Sequence, residues 1–288
     1  MSNQKKNEDG YGTTGHEWDG IEEWNNPLPR WWLWTFYLTI IWGVGYTIAY
    51  PAWPLISQAT GGLLGYSTRA ELAEDLEAAR LANAGIDERL ATVDLAAVSD
   101  DAELLQYANS MGASVFRTYC SQCHGSGAAG VQAAGYPNLL DDAWLWGGTV
   151  DEIQYTVRHG IRNEDDPDAR WSEMPAFGDI LTEEEIAQTV NYVMSLSGNA
   201  TDPALVEAGE TVYLDNCAAC HGDEGLGDIY QGAPNLADAI WLYGGDVETL
   251  TETVTYSRFG VMPPWSERLS EAEIRGVALY VHGLGGGE

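Results

Sequence analysis

Positive charge is what this sequence has least of. Thirteen Lys and Arg stand against 44 Asp and Glu, only Lys5 and Lys6 are lysines, and the 288 residues carry a formal net charge of −31. Nucleic-acid binding needs a basic patch, and the sequence offers none, which excludes that class of partner. Cysteine is scarce as well: four residues are too few for a disulfide scaffold of this length, so their spacing must decide their role. The five histidines form no cluster suited to a copper site. A hydrophobic content of 45% excludes a solvated acidic disordered chain. What the chain has in abundance is aromatic surface, twelve Trp and fifteen Tyr, recurring at matched places.

Charge of either sign is missing from Trp31 to Thr68. The most apolar part, Trp31 to Tyr50, is twenty residues long, enough at about 1.5 Å per residue to cross a bilayer core of about 30 Å. Trp31, Trp32 and Trp34 at one end, and Tyr46, Tyr50 and Trp53 at the other, suit the headgroup level. A buried core helix rarely runs this far without a charge. A cleaved signal peptide fits worse, because the stretch is too long, starts late and lacks a small-x-small site. The expectation is a tail over 1–30 and one uncleaved membrane anchor over 31–56. Lys5, Lys6 and Arg30 before it, against Arg69 and Arg80 after it, lean only slightly towards a cytoplasmic N-terminus.

A connector is expected over 57–106. Arg69 to Asn83 reads as an acidic amphipathic helix, with Leu72, Leu76, Ala79 and Asn83 on one stripe, ending at Gly85. A second, short helix begins after Ser99, where Asp100 and Glu103 have capping-box spacing. Three Arg against ten acids between 69 and 106 leave a disordered spacer as the alternative.

Beyond the connector the chain repeats itself. Cys120-Ser-Gln-Cys123-His124 matches Cys217-Ala-Ala-Cys220-His221 at an offset of 97, which also carries Gly112 to Gly209 and Phe116 to Tyr213. Pro137-Asn138-Leu139 and Trp144-Leu-Trp-Gly-Gly148 recur as Pro234-Asn235-Leu236 and Trp241-Leu-Tyr-Gly-Gly245. After a length difference the register resumes at 88, pairing Met174-Pro175 with Met262-Pro263 and Tyr192 with Tyr280. Units of about 90 residues are too large for solenoid repeats, so they read as duplicated globular domains, 107–198 and 199–288. Each is mostly helical. Thr182-x-x-Glu185 and Ser270-x-x-Glu273 open the last helices as capping boxes, and Thr201 or Asp202 before Pro203 starts the second domain. Gly112 with Tyr192, and Gly209 with Tyr280, are the expected crossings of the first and last helices.

Cys-x-x-Cys-His is the attachment signature of c-type haem. On a helical turn the two sulfurs and the imidazole share one face, reaching the haem vinyls and the iron. A disulfide inside either motif leaves its histidine unexplained. One zinc site would need ligands from motifs 97 residues apart. A redox dithiol expects one motif in a βαβ setting. The two motifs therefore predict two covalently bound haem c groups, on Cys120/Cys123 and Cys217/Cys220, with His124 and His221 as proximal ligands. Methionine is the usual sixth ligand in cytochromes c. Met174 and Met262 are in register and each precedes a proline, so chain order pairs His124 with Met174 and His221 with Met262. His159 is the rival ligand in the first copy, while Met111 and Met194, without counterparts, read as core. Pro137 and Pro234 sit where a carbonyl orients the proximal ring, or in ordinary turns. Arg158, Arg162 and Arg258 are either propionate partners or solvated charges.

The repeat resembles two class I cytochrome c folds in tandem. Asp19-Gly-Ile-Glu-Glu-Trp-Asn-Asn-Pro-Leu-Pro-Arg-Trp-Trp32, Leu33-Trp-Thr-Phe-Tyr37 and Tyr50-Pro-Ala-Trp-Pro54 narrow the match to subunit III of cbb3-type cytochrome c oxidases, the dihaem CcoP family. The resemblance implies a mainly α protein with one transmembrane helix and two cytochrome domains. It implies a non-catalytic electron relay, from a cytochrome donor to a haem–copper subunit that reduces oxygen in a proton-pumping complex containing a monohaem cytochrome subunit as well. It also implies a bacterial inner membrane, a cytoplasmic N-terminus and periplasmic haem domains. A free dihaem shuttle and a dihaem peroxidase are the alternatives. Of the net charge, −7 falls in the connector, −9 in the first repeat and −12 in the second. That acidity suits a basic cytochrome c donor or, equally, a salt-adapted proteome.

Overall fold

The computed structural model describes residues 10–238 and 240–287; Lys5 and Lys6, part of the flanking charge count, lie outside the described residues. The chain forms two compact units, residues 1–82 and 83–288.

The first unit opens with a hairpin, β1 (Thr13–Trp18) and β2 (Ile21–Trp24), paired antiparallel with Trp18 opposite Ile21. Its turn is Asp19-Gly20, with φ of 49° and 85°. Both values suit the two-residue turn whose twist matches paired strands, and Asp-Gly is a preferred sequence for it. Helix α1 (Arg30–Ala49) follows Pro29, contains no buried residue and is apolar around its circumference. It is long and apolar enough to cross a membrane. It stops at Ala49 because Tyr50, ahead of Pro51, is extended. The chain then folds back, with Leu63 and Leu64 amides donating to the Ile48 and Ala49 carbonyls at 3.0 Å each.

Helix α2 (Thr68–Thr92) runs through Gly85, where the sequence reading ends it. The glycine costs about 1 kcal/mol, and burial of the last two turns outweighs it: Leu90 is fully enclosed, with Ile86 and Val93 packed beside it. Residues from 86 onward therefore belong to the second unit's core and are no spacer. A 3-10 turn, Leu95–Asp100, leads into α3 (Ala102–Val115). The cap of α3 is Asp101, whose carboxylate accepts from the Leu104 amide, one residue after the expected Asp100. The remaining helices are α4 (Ser121–His124), α5 (Val150–His159), α6 (Glu183–Leu196), α7 (Val206–Asn216), α8 (Ala218–His221), α9 (Val247–Tyr256) and α10 (Glu271–His282). Both capping boxes form, at Thr182/Glu185 and Ser270/Glu273.

The repeats do not close on themselves. Helix α3 packs on α10, and α6 packs on α7. A Cβ on Gly112 would lie 2.1 Å from the Gly276 carbonyl oxygen and 2.6 Å from Tyr280 Cβ. One on Gly209 would lie 2.1 Å from the Gln188 carbonyl oxygen and 2.9 Å from Tyr192 Cβ. The expected partners, Tyr192 for Gly112 and Tyr280 for Gly209, are thus exchanged. The reason is the short link between α6 and α7. The buried Asn191 carboxamide oxygen accepts from Thr201 Oγ1 (3.0 Å) and the Asp202 amide (2.8 Å), folding the link tightly. Short connections favour antiparallel packing of consecutive helices. α3 is then left to α10.

Two lobes result. The first runs from 95 to 159 and is completed by residues 261–284; its core joins Phe116, Ile153 and Val157 to Ile274, Val277 and Val281. The second is the contiguous stretch 171–258, with Ile186, Val190 and Met194 packed against Leu250, and Tyr192 against Tyr213. Met111 and Met194 are core residues, as expected.

Candidate haem-binding sites

Each Cys-x-x-Cys-His motif sits on a short helix, α4 or α8, following the first helix of its repeat. In the first lobe the approach is a π-helical turn, Phe116–Cys120, a local widening common at functional sites. None of the four cysteines is in a disulfide; Cys120 and Cys217 are half-buried, Cys123 and Cys220 exposed. Burial pushes the Cys120 and Cys217 thiols up to about 11.

The two imidazoles are fixed alike. His124 Nδ1 lies 3.2 Å from the Pro137 carbonyl oxygen, and His221 Nδ1 lies 3.0 Å from that of Pro234. Nδ1 must carry the proton to donate, which leaves Nε2 with a free lone pair for a metal. Burial pulls both histidines below the usual imidazole value, with the proline contacts opposing it, so both stay neutral at pH 7.

The methionines cross over. Met174 lines the cavity that holds Cys217, Cys220 and His221. Met262 packs on the buried cluster that includes Val115, Phe116 and the half-buried Cys120. Chain order pairs His124 with Met174 and His221 with Met262, whereas the structure puts Met174 on the wall of the His221 cavity, because the chain leaves the first lobe at 160 and returns to it at 261. The crossover strands run side by side, with Ile161 and Met262 exchanging amide-to-carbonyl bonds of 2.9 and 3.0 Å.

The lining suits a large flat group with an apolar body and charged edge. Around His221 it is formed by Phe177, Val190, Val193, Leu236 and Trp241, with Arg162 and Arg258 also present. Thr189 Oγ1, on the same wall, is buried and has no partner among the described residues. Thiols, an imidazole nitrogen and a thioether in one cavity are the donor set of a c-type haem with six-coordinate iron.

The other candidate residues also make contacts within the protein. His159 Nδ1 is 3.0 Å from Asp166 Oδ2, and its ring lies 4.5 Å from that of Tyr155. Arg158 pairs with Glu271 and Arg258 with Glu252. The sequence reading missed Arg162's own contacts. They depend on a loop longer in the first repeat than in the second, and that length difference was the available signal.

Known proteins match both parts of the chain. Residues 10–57 match the N-terminal domain of cytochrome oxidase-cbb3, FixP, and residues 108–193 and 204–281 match cytochrome c oxidase, cbb3-type, subunit III. The chain is 63% identical over 278 residues to the cbb3-type cytochrome c oxidase subunit CcoP of Cereibacter sphaeroides, covering 96% of this chain and 95% of that one. It is 53% identical to subunit FixP of Sinorhizobium medicae over 279 residues, with 97% and 96% covered. Against CcoP of Rhodobacter capsulatus the figure is 53% over 287 residues, with 96% of each covered.

Proposed function

Because the chain belongs to the family of subunit III of cbb3-type cytochrome c oxidases, we propose that it holds two covalent haem c groups and relays electrons between a cytochrome donor and the oxidase's haem–copper subunit. Cys120 and Cys123 anchor one haem, Cys217 and Cys220 the other. The axial pairs are His124 with Met262 and His221 with Met174. The observation that carries this reading is the lining shared by Met174 with Cys217, Cys220 and His221, since no peroxidase-like open position is left where a thioether is present. Held between an imidazole and a thioether from this chain, each haem would supply one-electron redox chemistry.

The protein's own residues do the rest. Pro137 and Pro234 carbonyls orient the proximal rings and raise their basicity as ligands. Methionine sulfur raises the potential, and the apolar lining keeps water from the iron. Helix α1, exposed and apolar on all sides, serves as the single anchor in a bacterial inner membrane, with the N-terminus cytoplasmic and both lobes periplasmic. The monohaem subunit and the haem–copper subunit are its partners, and the acidic lobes steer a basic donor.

Haem counting tests the core of this reading. The denatured polypeptide should retain two haems, and a lower count overturns it. Detergent extraction should bring down a haem–copper subunit; migration as a free cytochrome would favour the independent shuttle. Donor oxidation should slow as ionic strength rises, and a salt-independent rate removes the steering role.

A further inference from the structure

The longer loop of the first repeat has no part in haem attachment, yet it supplies the residue that joins the two methionine segments. Arg162 Nε donates to the Ser172 carbonyl, two residues before Met174, and Nη1 donates to the Gly260 carbonyl at 3.0 Å, two residues before Met262. Its backbone is left-handed, with φ of 48°, and its amide donates to the Arg170 carbonyl at 2.8 Å, which closes the loop on itself. At the C-terminal cap of α9, Ser257 is also left-handed, with φ of 59°, and its hydroxyl donates to the Met174 carbonyl. Non-glycine residues avoid this region unless the surroundings hold them there, and such strain gathers at constrained functional segments. Here both such residues bond to the segments that carry the thioethers. The guanidinium lies 5.9 Å from the Trp146 ring and 5.9 Å from the Phe259 ring, so aromatic faces as well as carbonyls fix it.

We propose that Arg162 is a positioning residue for both axial methionines, tying the Met174 and Met262 segments to each other so that the two haem sites keep or lose their thioether ligands together. The proposal rests on the axial assignment given above. A planar fork holds the two carbonyls with donors on two different nitrogens, whereas an ammonium or amide carries all its donors on one nitrogen. Ser257, which holds only the Met174 carbonyl, acts on one site alone.

The test uses the full-length, haem-loaded chain in its oxidase complex, reading the ferric sulfur-to-iron charge-transfer band and the EPR signal of each haem. Wild type should show the band for both haems. Arg162→Gln should lose band intensity at both while retaining two covalent haems per chain, and Ser257→Ala should lose it only at the haem on Cys217 and Cys220. Loss at a single haem in Arg162→Gln, or no loss, overturns the clamp. If Arg162→Gln does not accumulate with haem, Arg162→Lys keeps the charge and should still weaken both bands; two bands of wild-type strength overturn the proposal. Absence of the bands from wild type would instead remove the methionine ligation beneath it.

Discussion

The two lobes use the same repeated parts and close them differently. The second is one contiguous stretch, 171–258, in which α6 packs on its sequence neighbour α7. The first is held by residues from opposite ends of the unit, α3 with α10, and carries an added layer of Leu90, Leu95 and Val98. Aromatic pairs follow the exchange: Phe116 lies 5.7 Å from Tyr280, and Tyr213 lies 5.0 Å from Tyr192. Duplication supplied interchangeable helix surfaces, and connection length decided which of them meet. On the proposed axial assignment, neither haem site is complete within one repeat.

The largest expected effects come from the methionines. Met174→Ala should abolish the charge-transfer band and lower the potential of the haem on Cys217 and Cys220, while Met262→Ala does so for the haem on Cys120 and Cys123. Redox titration of each variant, with the haems distinguished by EPR, checks this. Effects confined to the repeat that contains the mutated methionine would break the comparison at its root.

Next come the helix crossings. Gly209→Ala forces a Cβ to 2.1 Å from the Gln188 carbonyl oxygen, and Gly112→Ala does the same at Gly276. Each overpacks its crossing and should cost about 1–3 kcal/mol, read by chemical denaturation. Loosening should appear in the second lobe for Gly209 and in the first lobe for Gly112. A smaller difference separates the aromatic pairs. Tyr213, fully buried, donates its hydroxyl to the Gly222 carbonyl at 2.7 Å, whereas Phe116 has no hydroxyl to place. Tyr213→Phe should destabilise the second lobe by about 1 kcal/mol, and a neutral result would make the two pairs equivalent.

Much of this was legible in the sequence, and the part that was not has a specific cause. Cys-x-x-Cys-His, Met-Pro and the Ser/Thr-x-x-Glu boxes are local patterns, read within a few residues. The exchange is not local. Gly112 and Gly209, and Tyr192 and Tyr280, occupy equivalent positions, so either pairing satisfies the same helix-crossing pattern. Only the folding of the link at Asn191, Thr201 and Asp202 separates the two. The overrun of α2 past Gly85 is again tertiary burial prevailing over local propensity. The hairpin at Asp19-Gly20 is different, since its turn dipeptide was in plain view and went unused.

The smallest expected effect concerns acid. Glu185 lies below the usual carboxylate range because the Thr182 amide and hydroxyl both donate to it, and Asp246 is lowered by the Thr249 hydroxyl and amide. Both cap helices of the second lobe, α6 and α9. A carboxyl whose folded pKa is depressed adds stability above its unfolded value of about 4 and loses it as pH falls through the folded one. Glu185→Gln should therefore differ from wild type in denaturant midpoint at neutral pH, and the two curves should converge in acid. Both groups are fully exposed, so the difference is small and shrinks further in salt. A gap that persists after Glu185 is protonated would mean that the side chain supports α6 by packing rather than by charge.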